Sequence, residues 1–191
     1  MRIDRVTVGI AACVVSILTA LGTAYCDYRG FEHYTLKGQT HIHDLGYELI
    51  PQVDIPNIYR SILEVGWVPF AILNKNSVRV MTEISFVVAV VFMIRFVSMT
   101  LTILPSPVEK NHKFSLDKMS GGGVHDKVFS GHTALATIVA LTLIRHGIWN
   151  SWAYAYPALT ALYMIATRGH YSVDVFLGFV IAYLVYAVFY F

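Results

Sequence analysis

The stretch SGHTALATIVALTLI, residues 130–144, opens on a polar turn and continues as an almost unbroken apolar run, with His132 at the junction. A second stretch repeats the design: Arg168-Gly169-His170-Tyr171-Ser172-Val173-Asp174 borders the apolar run that continues to Phe191. A polar ring at the edge of an apolar helix costs free energy unless it is partnered. Two such histidines, one followed four residues later by a carboxylate, read as a site built at a membrane surface. Residues four apart share a helix face, so Asp174 can hold one ring nitrogen of His170 and leave the other nucleophilic. His132 supplies a second imidazole for acid–base work. Arg168 by its charge, and the amides around Ser130 and Gly131 at a helix N-terminus, are candidate phosphate ligands. The implied chemistry is phosphoryl or phosphodiester transfer through histidine.

Outward from these two stretches the composition is that of a membrane protein. The chain of 191 residues is 56% hydrophobic and 14% charged, where soluble domains carry about 25% charge. A net charge of +2 with no basic stripe argues against nucleic acid as a partner. The two cysteines, Cys13 and Cys26, flank one apolar run. A helix between them holds them roughly 20 Å apart at ~1.5 Å per residue, too far for a mutual disulfide.

Periodicity and breakers predict an all-α integral membrane bundle in a single domain, 1–191, with six transmembrane helices over 6–25, 58–73, 81–104, 129–146, 152–167 and 171–191. The basic start and first run also fit a signal peptide, but Thr23-Ala24-Tyr25 is a weak cleavage site and further spans follow, so the first helix is read as retained. Residues 26–57 are polar. The spacing of His41, His43 and Asp44 within them is poor for one compact metal centre. Ile50 to Pro56 reads as extended, because each proline biases its predecessor away from helix. Arg95 lies inside the third apolar run, where an arginine defaults to a functional role. Residues 105–128 form a second long loop whose Gly121-Gly122-Gly123 permits close backbone approach to a ligand.

Six crossings place both termini on one side. The short segments on that side carry Arg2, Arg5, Lys75, Arg79 and Arg145, which assigns it to the cytosol. Residues 105–132 and 168–174 then meet on the opposite, non-cytosolic face, so the active site is expected there.

These motifs resemble those of the sphingomyelin synthase family, within the type 2 phosphatidic acid phosphatase superfamily. Val124-His125-Asp126-Lys127-Val128-Phe129-Ser130-Gly131-His132-Thr133 is similar to the family's Cys-x-Asp stretch running into Ser-Gly-His-Thr. His170-Tyr171-Ser172-Val173-Asp174-Val175 is similar to its His-Tyr-Thr-x-Asp-Val, and Arg95 to Pro107 to its arginine-bearing third helix closing in Leu-Pro-x-Pro. Val124 stands where the family has cysteine, the superfamily's Lys-x6-Arg-Pro motif is missing, and Ile50 to Pro56 is only a loose echo of Pro-Pro-x-Pro-Asp.

The resemblance implies a lumenal or exoplasmic site in the secretory pathway (Golgi or endoplasmic reticulum) or at the plasma membrane. It implies that His170, oriented by Asp174, attacks the head-group phosphorus of a phospholipid donor while His132 protonates the departing diacylglycerol oxygen. Ceramide or another lipid alcohol then takes the head group. Arg95, His125, Asp126, Ser130, Gly131 and Arg168 are the expected head-group and phosphate ligands. Imidazoles and guanidiniums supply nucleophile, proton and charge, so no metal or other cofactor is expected. Two other classes fit the residues: a lipid phosphate phosphatase or phospholipase C-type hydrolase using water as acceptor, and a non-catalytic lipid-binding membrane protein. The donor head group and the oligomeric state stay open.

Overall fold

The helix at residues 131–145 is apolar all round, and helices with that pattern are buried on every side. It becomes the hub of the fold. The computed structural model describes residues 5–30, 42–105 and 127–191. Within them the helices are α1 (Arg5–Gly30), α2 (Leu45–Leu49), α3 (Asn57–Val65), α4 (Val68–Ile72), α5 (Ser77–Leu101), α6 (Gly131–Arg145), α7 (Ala155–Ala166) and α8 (Ser172–Tyr190), with a 3-10 turn at Ser151–Tyr154. Helix α6 buries almost its whole length, from Thr133 through Leu143. Helices α5, α7 and α8 pack around it, α3 touches it near the site, and α1 lies along α5. Alanines and threonines on α6 (Ala134, Thr137, Ala140) let the neighbouring backbones approach closely.

Among the described residues, two helices, Ser77–Leu101 and Ser172–Tyr190, are long and apolar enough to cross a membrane. At ~1.5 Å per residue they reach about 38 and 28 Å, against a hydrocarbon core of about 30 Å. Only 28% of the most apolar window of each is buried. A core helix of a soluble protein is mostly covered, whereas these present Ile94, Val97, Phe176, Phe179 and Leu184 outward.

The expected single helix over 58–73 is instead two short ones, α3 of nine residues and α4 of five. Pro69 cannot donate to the carbonyl of Val65 and its ring crowds that position, so the ladder breaks across Gly66 and Trp67. Neither piece reaches across a bilayer. The expected helix over 152–167 begins as the 3-10 turn and becomes α-helical only from Ala155. Helix α5 starts at Ser77 rather than Met81 and ends at Leu101, with Thr102 already extended ahead of Pro105. The polar segment 26–57 contains α2, which the sequence reading did not anticipate, and Pro51 to Pro56 follow it without regular structure, as the prolines require. His41, Gly121-Gly122-Gly123, Val124, His125 and Asp126 lie outside the described residues.

At the end of the bundle formed by the start of α5 and the ends of α6 and α8, Glu83 is buried. Its Oε2 lies 2.9 Å from Arg145 Nη1 and 3.1 Å from His146 Nε2, and its Oε1 accepts from the Tyr186 hydroxyl at 2.7 Å. The other end of the bundle holds His132 and His170.

Candidate active site

Ser130 is the N-cap of α6: its Oγ accepts the Thr133 amide at 3.2 Å and the Thr133 hydroxyl at 3.1 Å. Serine at this position satisfies an amide that the helix itself leaves without a partner. The turn before it is held from two sides. Arg95 on α5 is buried and its Nε donates to the Phe129 carbonyl at 3.1 Å. The Ser130 amide donates to the Asp174 carbonyl on α8 at 2.8 Å. Gly178 makes that approach possible, since a Cβ there would stand 2.5 Å from the Ser130 carbonyl oxygen. Gly131 sits under Arg95 and Phe92, where a Cβ would meet Phe92 at 3.3 Å. His132 therefore enters the site from the first turn of a helix anchored to both neighbours.

His170 lies in the turn between α7 and α8. Arg168 adopts a left-handed φ of 57° that reverses the chain, and the Gly169 and His170 amides both return to the Met164 carbonyl, at 2.8 and 3.3 Å. His170 is 3% exposed. Burial pushes its imidazole well below the usual value, and the charges of Lys127, His132, Arg95 and Arg60 act in the same direction. The ring is thus neutral near pH 7, the form that has a lone pair to donate. Its Nδ1 is 3.6 Å from Oδ2 of Asp174, longer than a hydrogen bond. Neither Nδ1 of His170 nor Oδ1 of Asp174 has a hydrogen-bond partner among the described residues. Hydrogen bonds in active sites are commonly long without substrate and tighten in the substrate complex. Asp174 also works as backbone chemistry, its Oδ2 accepting the Tyr171 amide at 3.1 Å at the start of α8.

The two imidazoles face each other with ring centroids 5.8 Å apart and planes at 63°. Behind His132 stand two residues of α3 that the sequence reading did not place at the site. Its Nε2 is 2.9 Å from Glu64 Oε1 and 2.9 Å from Arg60 Nη2, while Arg60 Nε donates to the same Glu64 oxygen at 2.7 Å. The spacing of Arg60 and Glu64 is that of a helix-face pair, but nothing local in the sequence names a partner 72 residues away.

Arg168 is brought to the site but turned away from the imidazoles. Its guanidinium donates to the carbonyls of Ile165, Tyr47 and Ile50 at 3.1, 3.0 and 3.0 Å, and stacks 4.2 Å over the Tyr47 ring. The segment carrying α2 crosses the α7–α8 turn here. Tyr47 Oη donates to the His170 carbonyl at 2.9 Å, and its ring stacks on Tyr171. Burial, with Asp44 next, raises the Tyr47 hydroxyl pKa, which keeps it a donor.

Residues 125–191 match the family described as PAP2 superfamily C-terminal. That is about a third of the chain, and it contains His132, His170, Asp174 and Arg168. It supports a PAP2-superfamily fold for the C-terminal helices and is consistent with an enzyme acting on phosphoesters. Arg60, Glu64 and Arg95 fall outside it. A search of curated proteins found no match to this chain.

Proposed function

We propose that this chain is a sphingomyelin-synthase-like phosphotransferase of a membrane, moving a phospho-head-group from a glycerophospholipid to ceramide or a similar lipid alcohol. The observation that carries the reading is the pair of facing imidazoles, with a carboxylate behind the buried one. In the first half-reaction Nε2 of His170 attacks phosphorus, the phosphorus–oxygen bond to diacylglycerol breaks, and His132 gives that oxygen its proton. Asp174 holds Nδ1–H of His170 and stabilises the charge that develops on the ring. In the second half the acceptor hydroxyl gives its proton to His132, its oxygen bonds to phosphorus, and the phosphorus–nitrogen bond breaks. The Ser130 amide is taken by the Asp174 carbonyl and the Thr133 amide by Ser130 Oγ. The amides of Gly131 and His132 at the start of α6 are therefore the ones assigned to the developing negative charge. Arg95 adds positive charge from behind Gly131, and Arg168 holds the turn that presents His170. His125 and Asp126, which lie outside the described residues, are assigned to head-group binding from their place in the sequence.

In this reading six segments of the chain are embedded in the membrane, the site opens on the non-cytosolic face, and the protein resides in the secretory pathway or plasma membrane. Hydrolysis, with water in place of the alcohol, is the second reading. It is favoured by the match to a superfamily of phosphoester-acting proteins. The deciding experiment is a mass-balanced assay of the purified protein with phosphatidylcholine, phosphatidylethanolamine, phosphatidylinositol and ceramide, alongside the His170→Ala variant. A new phosphosphingolipid with equimolar diacylglycerol is the expected result. Diacylglycerol alone would give the hydrolytic reading, and no turnover with any donor would remove both.

A further inference from the structure

Both imidazoles need a partner that fixes which nitrogen carries the proton, and the anion between them needs a cation that can reach it. Asp174, its Oδ2 3.6 Å from Nδ1, is the residue placed to meet the first need for His170. Of the guanidiniums at this end of the bundle, Arg168 is directed onto three carbonyls, and Arg95 onto the Phe129 carbonyl and Met99 Sδ. Among the described residues, Arg60 is the guanidinium that touches a histidine of the pair.

The contact it makes is frustrated. Nε2 of His132 lies 2.9 Å from a carboxylate oxygen and 2.9 Å from a guanidinium nitrogen. If Nε2 carries the proton, it donates to Glu64 and faces an N–H of Arg60 donor to donor. If it does not, it accepts from Arg60 and sets its lone pair against Glu64. One ring nitrogen cannot satisfy both. The strain is relieved when one neighbour has another partner to turn to, and a phosphate oxygen entering beside His132 is that partner for Arg60. Meanwhile Nδ1 of His132 is buried without a hydrogen-bond partner among the described residues.

Helix α3 is fixed in the rotation that produces this arrangement. Trp67 Nε1 donates to the Glu64 carbonyl at 2.8 Å, and the Tyr156 hydroxyl donates to the Leu63 carbonyl. With Arg60 and Glu64 turned to the site, Ile58, Ile62 and Val65 on the opposite face are 61, 55 and 59% exposed. A wall that is apolar outside and cationic inside suits a phosphate carried on a lipid.

We propose that Arg60 is a phosphate ligand of this site and that Glu64 is the positioning residue of His132. Glu64 accepts Nε2–H, which leaves Nδ1 as the nitrogen that exchanges the proton with the reacting oxygen. Arg60 swings from Nε2 to an oxygen of the phosphodiester while its Nε stays on Glu64. The ligand chemistry is a phosphate anion, and its source is a phospholipid head group. This rests on the phosphotransfer reading for its reaction but not for its binding step. Among the described residues, the groups bearing on His132 are Glu64 and Arg60 on α3 and Lys127 ahead of α6, with the His170 ring facing it from the turn before α8.

The test uses the full chain in nanodiscs, with inorganic phosphate as one probe and phosphatidylcholine as the other. Arg60→Gln is expected to weaken binding of both by about tenfold or more, with Arg60→Lys in between, as loss of a charge-assisted bond requires. Glu64→Gln is expected to leave phosphate binding within about threefold, to lower kcat by roughly 10–100-fold with little change in KM, and to displace the pH limb assigned to His132. Thermal unfolding of each variant separates these effects from loss of the fold. Wild-type phosphate affinity in a folded Arg60→Gln would overturn the ligand assignment, as would phosphate binding that phosphatidylcholine does not compete away. An unchanged pH profile in Glu64→Gln would overturn the positioning role. Phosphate binding lost with Arg60, in a protein that turns over no phospholipid, would support this proposal while removing the transferase reading.

Discussion

Asp44 caps a helix that begins 128 residues after it: its Oδ2 accepts the Ser172 amide at 2.7 Å and its Oδ1 accepts the Ser172 hydroxyl at 2.7 Å. Asp44 Oδ1 also caps its own helix α2 through the Tyr47 amide at 3.2 Å. One carboxylate thus ties the segment around α2 to the turn that presents His170. Asp44→Ala should lower stability by about 1–3 kcal/mol and reduce kcat, although residue 44 touches neither imidazole. Asp44→Asn should recover part of both. Thermal unfolding and initial rates on the three proteins check this, and unchanged rates in a destabilised Asp44→Ala would show that the segment does not position His170.

Asp174 has two tasks that one substitution can separate. Asparagine keeps an oxygen for the Tyr171 amide but loses the charge facing His170. Asp174→Asn should therefore stay within about 1 kcal/mol of wild type in stability while turnover falls at least 100-fold. His170→Ala should be inactive and folded. Circular dichroism melts beside the lipid assay decide the matter, and near-normal turnover in both variants would remove the relay.

Acid should act on the fold through His170. Its folded pKa is lowered, so below about pH 6.5 the unfolded chain binds a proton that the folded chain refuses. The group costs nothing above that pH and destabilises the native state as pH falls from about 6.5 towards the lowered folded value, by at most ~1.4 kcal/mol per pH unit. Melting temperatures of wild type and His170→Asn from pH 8 to pH 5 should diverge in that direction, with the wild type declining more steeply.

Gly178 permits the closest approach between α8 and the turn before α6. Gly178→Ala places a methyl 2.5 Å from the Ser130 carbonyl oxygen, which is backbone and cannot step aside. Overpacking of this kind costs about 1–3 kcal/mol, and the shift should also lengthen the distance between the imidazoles. A loss of both stability and kcat, with KM little changed, is the expected result.

Glu83 sits at the far end, about 18 Å along α5 from Arg95 at ~1.5 Å per residue. Removing one partner of a buried ion pair costs about 3–5 kcal/mol. Glu83→Ala should therefore lower the melting temperature strongly and leave KM where it was. A change in KM with intact stability would instead place Glu83 in the substrate path.

The sequence made His132, His170 and Asp174 legible because each stands at a polar–apolar junction, and a junction in an apolar chain has few places to go but a helix end. The break between α3 and α4 was visible as Gly66 and Pro69, yet the apolar content of the segment outweighed it in the reading. Arg168 was legible only as a charge. Its left-handed backbone and the carbonyls it meets come from a fold in which α2 crosses the α7–α8 turn. The same holds for Asp44, whose partner lies at the other end of the chain, and for Arg60 and Glu64, whose partner is on α6. Spacing along one helix is written locally, whereas a contact between distant segments exists only once the bundle is assembled.

The bond from the Ser130 amide to the Asp174 carbonyl joins the first turns of α6 and α8 into one rigid corner, and both imidazoles project from it. Helices in bilayers of different thickness tilt and slide to match their surroundings. Here such tilting moves the corner as a unit and leaves the gap between the rings alone. Turnover in short-chain and long-chain bilayers should accordingly differ in how readily substrate arrives, read in KM, while the chemical step keeps its rate.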